Sequence, residues 1–130
     1  MSAVPYAGLE KVNPEKLQRQ HALADALWTR LVAQGVKTGA AGRIESIFFA
    51  DDDLTATSLV ASFTGGDWRH RIESSDDGPS KRRVRLVSPE MALSPEAFHE
   101  LVDVMMVAAV ENHCAFDGFQ VDTGTVRPTP

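Results

Sequence analysis

The sequence predicts an α+β fold of the ferredoxin-like, split β-α-β kind: βαββαβ, a four-stranded antiparallel sheet with an extra N-terminal helix. Three observations carry this. Two strand–helix–strand runs follow one another, over 43–74 and 82–122. Asp76-Asp77-Gly78-Pro79, strong turn chemistry, joins them as a hairpin. A helical repeat with its own start and stop precedes both. Right-handed crossovers leave few other topologies for that order.

The first helix is predicted over 14–34. Asn13 can accept a free backbone N–H, Pro14 suits the first helical position, and Glu15 suits the positive end of the dipole. Leu17, Ala24, Leu27, Trp28 and Leu31 recur at helical spacing, and Gly35 is the stop. Residues 43–50 (RIESIFFA) read as the first strand. The first helix either covers the sheet's second face or packs at an edge; both faces of that strand are partly apolar, so that helix or another subunit is expected to cover part of the second face. Asp51, Asp52 and Asp53 suit the start of a short helix carrying Leu54, Leu59, Val60 and Phe63, ending at Gly65-Gly66.

Residues 67–74 (DWRHRIES) alternate Trp68, His70 and Ile72 with Arg69, Arg71 and Glu73, a half-buried second strand. Residues 82–88 (RRVRLVS) set Val84 and Leu86 against Arg83 and Arg85, the third strand. Ser94-Pro95-Glu96 opens the last helix, with Phe98, Leu101, Val102, Met105 and Ala109 on one stripe to about His113. The turn is placed at 112–118, and Phe116 opens the fourth strand, with Phe116 and Phe119 on opposite faces or sides of the core. The domain is expected over 14–122, with a loose segment at 1–13 and a mobile tail at 123–130.

The 130 residues suit one such domain, and 43% apolar with 24% charged composition is ordinary for a globular protein. No apolar run approaches the roughly 18–20 residues of a membrane span. Residues 1–10 lack the basic and apolar regions of a secretory signal. One cysteine, Cys114, suits a reducing cytoplasm. The net charge of −5 argues against a general nucleic-acid binder. It is uneven, however: −1 over 1–65, +2 over 66–88 and −6 over 89–130.

No motif for chemistry stands out. The four histidines lack the spacings of a zinc site, although His99 and Asp103 sit one helical turn apart. Cys114 beside His113 has no third orienting group and reads as a small packed thiol. No catalytic residue, cofactor or metal is expected. The basic hairpin remains: Arg69, Arg71, Arg83 and Arg85 share one sheet face if the register pairs them. That face is either a solvated surface paired with Glu45 and Glu73, a protein-docking site, or an RNA contact. An RNA-binding sheet needs exposed aromatics on its central strands, and 81–88 has the charge without them.

The order of elements, together with Leu93 to Phe119, resembles the regulator of ribonuclease E activity B (RraB) family. In that stretch Phe116-Asp117-Gly118-Phe119 stands where the family has a Tyr-Asp-Gly-Trp-type turn into its last strand. Ile47 to Asp53 and the Gln18-Arg19-Gln20 entry of the first helix are also similar. The resemblance spans about residues 15–123. It departs at TGTVRPTP, which stands in place of an acidic tail, and at the basic hairpin. The resemblance implies a small cytoplasmic bacterial protein that binds RNase E, lowers its activity and alters the degradosome, without chemistry of its own. The expected contacts are Arg69, Arg71, Arg83, Arg85 and Asp51, Asp52, Asp53, while the Phe116–Phe119 motif has a structural role. Whether the chain is a monomer or a homodimer is left open.

Overall fold

Burial alternates strictly along Ile44–Ala50, and that alternation organises the molecule. In a computed structural model describing residues 8–63, 66–76, 78 and 80–127, the chain is a mixed α+β structure. Its helices are α1 (Pro14–Ala33), α2 (Asp53–Ala61) and α3 (Pro95–Glu111). Its strands are β1 (Ala41–Gly42), β2 (Ile44–Ala50), β3 (Arg69–Ser74), β4 (Arg82–Val87), β5 (Met91–Ala92) and β6 (Ala115–Val121).

The helix caps fall within the predicted start segments. Asn13, Asp52 and Ser94 each accept the backbone N–H three residues on, at 3.0, 2.8 and 3.0 Å. Each cap satisfies a donor that the first helical turn leaves without a partner.

One sheet has the order β3-β4-β2-β6, every neighbour antiparallel. Ile44, Phe48, Val84 and Leu86 share one face. They join Ala56 and Leu59 of α2 and Phe98, Val102 and Met105 of α3 in a single core. The first helix does not cover the second face. It packs along α3 and the β6 edge, with Ala24, Leu27 and Leu31 buried and Trp28 edge-on to Phe98 at 5.5 Å.

Three further features lie beyond the sequence reading. β1 and β5, two residues each, make a second small sheet. Ala41 also exchanges both backbone hydrogen bonds with Arg127 at 2.8 Å. The stretch read as a tail from 123 therefore carries a 3-10 turn at Thr123–Thr125 and a pairing at Arg127. Likewise Leu9–Lys11 forms a 3-10 turn and Val12 is buried, inside the stretch read as a loose start. Residues 1–7 and 128–130, Gly65 of the expected helix stop, and Asp77 and Pro79 of the expected turn lie outside the described residues.

The Phe116–Phe119 motif corrects the sequence reading. The turn occupies 112–114, where His113 has φ 57°, and the motif lies within β6. Phe116 stands opposite Phe48, and Phe119 stands opposite Ser46. The register shifts between Ile47 and Phe48, because Asp117 is an extra residue, a β-bulge. Gly118 accommodates it at φ 107°. The bulge breaks the two-residue period, so both phenylalanines face the core instead of opposite sides. Phe116 meets Phe48 at 5.2 Å between ring centroids, and Phe119 meets Phe98 at 5.1 Å.

Candidate functional site

Residues alternating with the core positions lie on the sheet's other face. These are Glu45, Ile47 and Phe49 of β2, Arg83, Arg85 and Val87 of β4, and Arg69, Arg71 and Glu73 of β3. None joins the core, and no helix packs on them among the described residues. Ile47, Phe49 and Val87 are only partly buried, an apolar centre within a charged frame. Gly118 stands opposite Ile47 and contributes no side chain to cover it.

The register does place the four arginines on this face. Arg71 stands opposite Arg85, Glu73 opposite Arg83, and Arg69 opposite Val87. Their surroundings differ. Glu73 Oε1 accepts from Arg85 Nε at 2.5 Å, Arg85 Nη1 donates to Glu45 at 3.0 Å, and Gln120 donates to the same Glu45 oxygen at 2.7 Å. One polar chain thus crosses all four strands. The bond from Arg85 holds the Glu73 carboxyl below its ordinary range and raises Arg85 further. Arg83 lies 3.7 Å from Glu73, an ion pair without a hydrogen bond.

Arg69 reaches Asp67 at 3.5 Å, but Asp67 is already held by Arg43 at 2.6 Å, which lowers its carboxyl. Arg71 is exposed and has no carboxylate within ion-pair range among the described residues. A shallow hollow of about 310 Å³ lies over Glu45, Arg69, Arg71, Arg85 and Val87.

Of the three aspartates, Asp51 borders this face, where it lines a hollow of about 550 Å³ with Phe49, Lys81 and Cys114. Asp52 caps α2, and the Thr55 N–H lowers its carboxyl. Asp51 accepts from Lys81 at 2.8 Å, and Asp53 accepts from Arg82 at 2.6 Å. The run therefore ties the start of α2 to the start of β4. Cys114 lies beside it, and burial, with the charges of Asp51 and Asp52, pushes the thiol up to about 11.

One cluster escaped the sequence reading. His21 of α1 bonds Asp103 of α3 at 2.8 Å, and His99 of α3 bonds Asp25 of α1 at 2.6 Å. The two imidazoles stack at 4.4 Å between centroids. The signal was present: each helix carries His-x-x-x-Asp, a pair on one helical face. Among the described residues, no three His, Cys, Asp or Glu are arranged to hold a metal ion, and no helix is long and apolar enough to cross a membrane.

No family model matches the chain, and no curated protein matches it.

Proposed function

We propose that the chain is a non-catalytic regulator that docks another protein on the uncovered sheet face. The partner is RNase E or its degradosome scaffold, in the cytoplasm, as the RraB resemblance implies. The observation that carries the reading is Ile47 and Phe49, left uncovered at the centre of a sheet and framed by Arg69, Arg71 and Arg85. An apolar centre with a charged rim is the anatomy of a protein interface. The strand order and directions also support a ferredoxin-like split β-α-β fold with α1 added at the β6 edge.

The test is a pull-down with the cognate RNase E at physiological salt, together with its RNA cleavage rate. Retention with slowed cleavage supports the reading; no retention and an unchanged rate overturn it.

One observation favours RNA contact as a second reading. Phe49, on a central strand, turns to the same face as the arginines, an aromatic in the position RNA-binding sheets use. Against it, Arg85 and Arg83 already face Glu73. RNA contact requires binding to single-stranded RNA that weakens steeply above about 50 mM salt.

A further inference from the structure

β3 is an open edge of the four-stranded sheet. β4 pairs one side of it, and no described element pairs the other, whereas α1 lies along the β6 edge. The ladder tells which backbone groups point outward. Ser75 N–H donates to Lys81 O at 3.0 Å, in the same register as the strands. Hydrogen-bonded pairs recur at every second residue of an antiparallel ladder. Arg69, Arg71 and Glu73 therefore turn their N–H and C=O groups toward β4. His70, Ile72 and Ser74 turn theirs outward. The far side of β4 agrees: Ser88 N–H donates to Ile44 O at 2.9 Å, so the even-numbered β4 residues bond β2 and the odd-numbered ones bond β3.

We propose that this edge pairs with the same edge of a second copy, antiparallel and centred on Ile72. Only residues with outward backbone groups can bond each other. Ile72 then bonds the partner's Ile72, and His70 and Ser74 bond the partner's Ser74 and His70. Arg71 falls opposite the partner's Glu73 in a non-hydrogen-bonded pair, where cross-strand side chains approach closest. By the two-fold axis the same contact forms twice.

The charges select this register. Sliding the partner strand by two residues one way keeps two Arg–Glu pairs, now Arg69 with the partner's Glu73, but adds one like-charge contact between them, Arg71 against the partner's Arg71. Sliding it the other way sets Glu73 against the partner's Glu73. Like charges directly opposite one another are destabilising, and opposite charges are favourable. The groups are also available: Arg71 has no ion-pair partner among the described residues, and Glu73 meets Arg83 and Arg85 through Oε1 alone. Ile72, half-buried at the edge, gains the partner's Ile72 on the helix side. The product is one eight-stranded sheet with two copies of the uncovered face side by side.

Sedimentation equilibrium on the full chain tests this. The expected species is twice the 14.1 kDa chain mass. Arg71→Glu should weaken the dimer severalfold without loss of fold, since Arg71 bonds no carboxylate among the described residues. Mixing Arg71→Glu with a Glu73→Arg chain shown to be folded by circular dichroism should restore it as a heterodimer, because both positions that pair residue 71 with residue 73 are then of opposite sign. His70→Pro removes only an outward N–H, which an edge strand tolerates, and should give a monomer with native circular dichroism. A wild-type chain that stays monomeric up to about 1 mM, where association is no longer specific, overturns the proposal. So does an Arg71→Glu dimer as tight as wild type; the edge charges then serve only to guard β3 against pairing. Either result leaves the regulator reading standing, since that rests on the sheet face and not its edge.

Discussion

His21 and His99 stack with their rings 17° from parallel, and each bonds the aspartate one turn along the other's helix. The crossed arrangement pins α1 to α3 at a set register, which apolar packing of Ala24 and Leu27 alone would not specify. The two halves are unequal, because Asp103 is buried and Asp25 is exposed.

Asp103→Ala should therefore destabilise the fold by about 1–3 kcal/mol, the cost of stranding a part-buried polar partner. Asp25→Ala should stay within about 0.5 kcal/mol, as exposed sites do. Urea denaturation of the two variants checks the difference.

Gly118→Ala places an L side chain at φ 107°. Space is not the difficulty, since the nearest atom to a Cβ there is Gln20 Oε1 at 3.5 Å. The backbone is, and the loss should be about 1–3 kcal/mol. Near-ultraviolet circular dichroism should change with it, because the bulge sets Phe119 against Phe98.

Arg71 and Arg85 stand opposite each other but should behave differently. Arg85→Ala cuts the chain from Glu73 to Glu45 and should lower Tm by a few degrees. Arg71→Ala should leave Tm unchanged at protein concentrations dilute enough for the monomer, and weaken partner capture. Calorimetry and the RNase E pull-down, run on both variants, separate stability from docking.

Glu73 supplies an acid limit. Its folded carboxyl sits below its ordinary value of 4.5, so the unfolded chain binds that proton more readily. Its contribution is intact above about 4.5 and is lost as pH falls through the lower folded value. Asp52 and Asp67 act in the same direction from 3.8 downward. Glu73→Gln should lower Tm in the neutral region, converge with wild type at the acid end, and so flatten the Tm-against-pH curve between them.

Cys114 should be slow to alkylate. Raising its thiol from 9.0 to about 11 leaves about 100-fold less thiolate at neutral pH. Iodoacetamide kinetics across pH 7–10 should show the rate still climbing at the top of the range.

Much of this architecture was legible because the sequence punctuates itself. Asn13-Pro14, Asp52 and Ser94-Pro95 mark helix starts that the structure uses, and the alternation of 69–72 and 83–86 placed the four arginines on one face. The β6 bulge was not legible. A period of two carries no mark of one extra residue, and only tertiary pairing with Phe48 and Ser46 reveals it. The cross-helix His–Asp pairs were hidden for a similar reason, since each partner lies on a distant helix. The small sheet of β1 and β5 is too short to leave any period.

The centre of the sheet has a consequence for biosynthesis. β2 emerges from the ribosome with neither neighbour yet made, for both β4 and β6 are encoded downstream. At about 5–20 residues per second, an apolar IESIFFA segment waits seconds for a partner. Such a segment is a hazard for intermolecular stacking while it waits. Arg43 on one side and Asp51, Asp52 and Asp53 on the other put charge at both of its ends. The aspartates that cap α2 and hold Lys81 and Arg82 thus stand where gatekeeper charges flank an aggregation-prone strand.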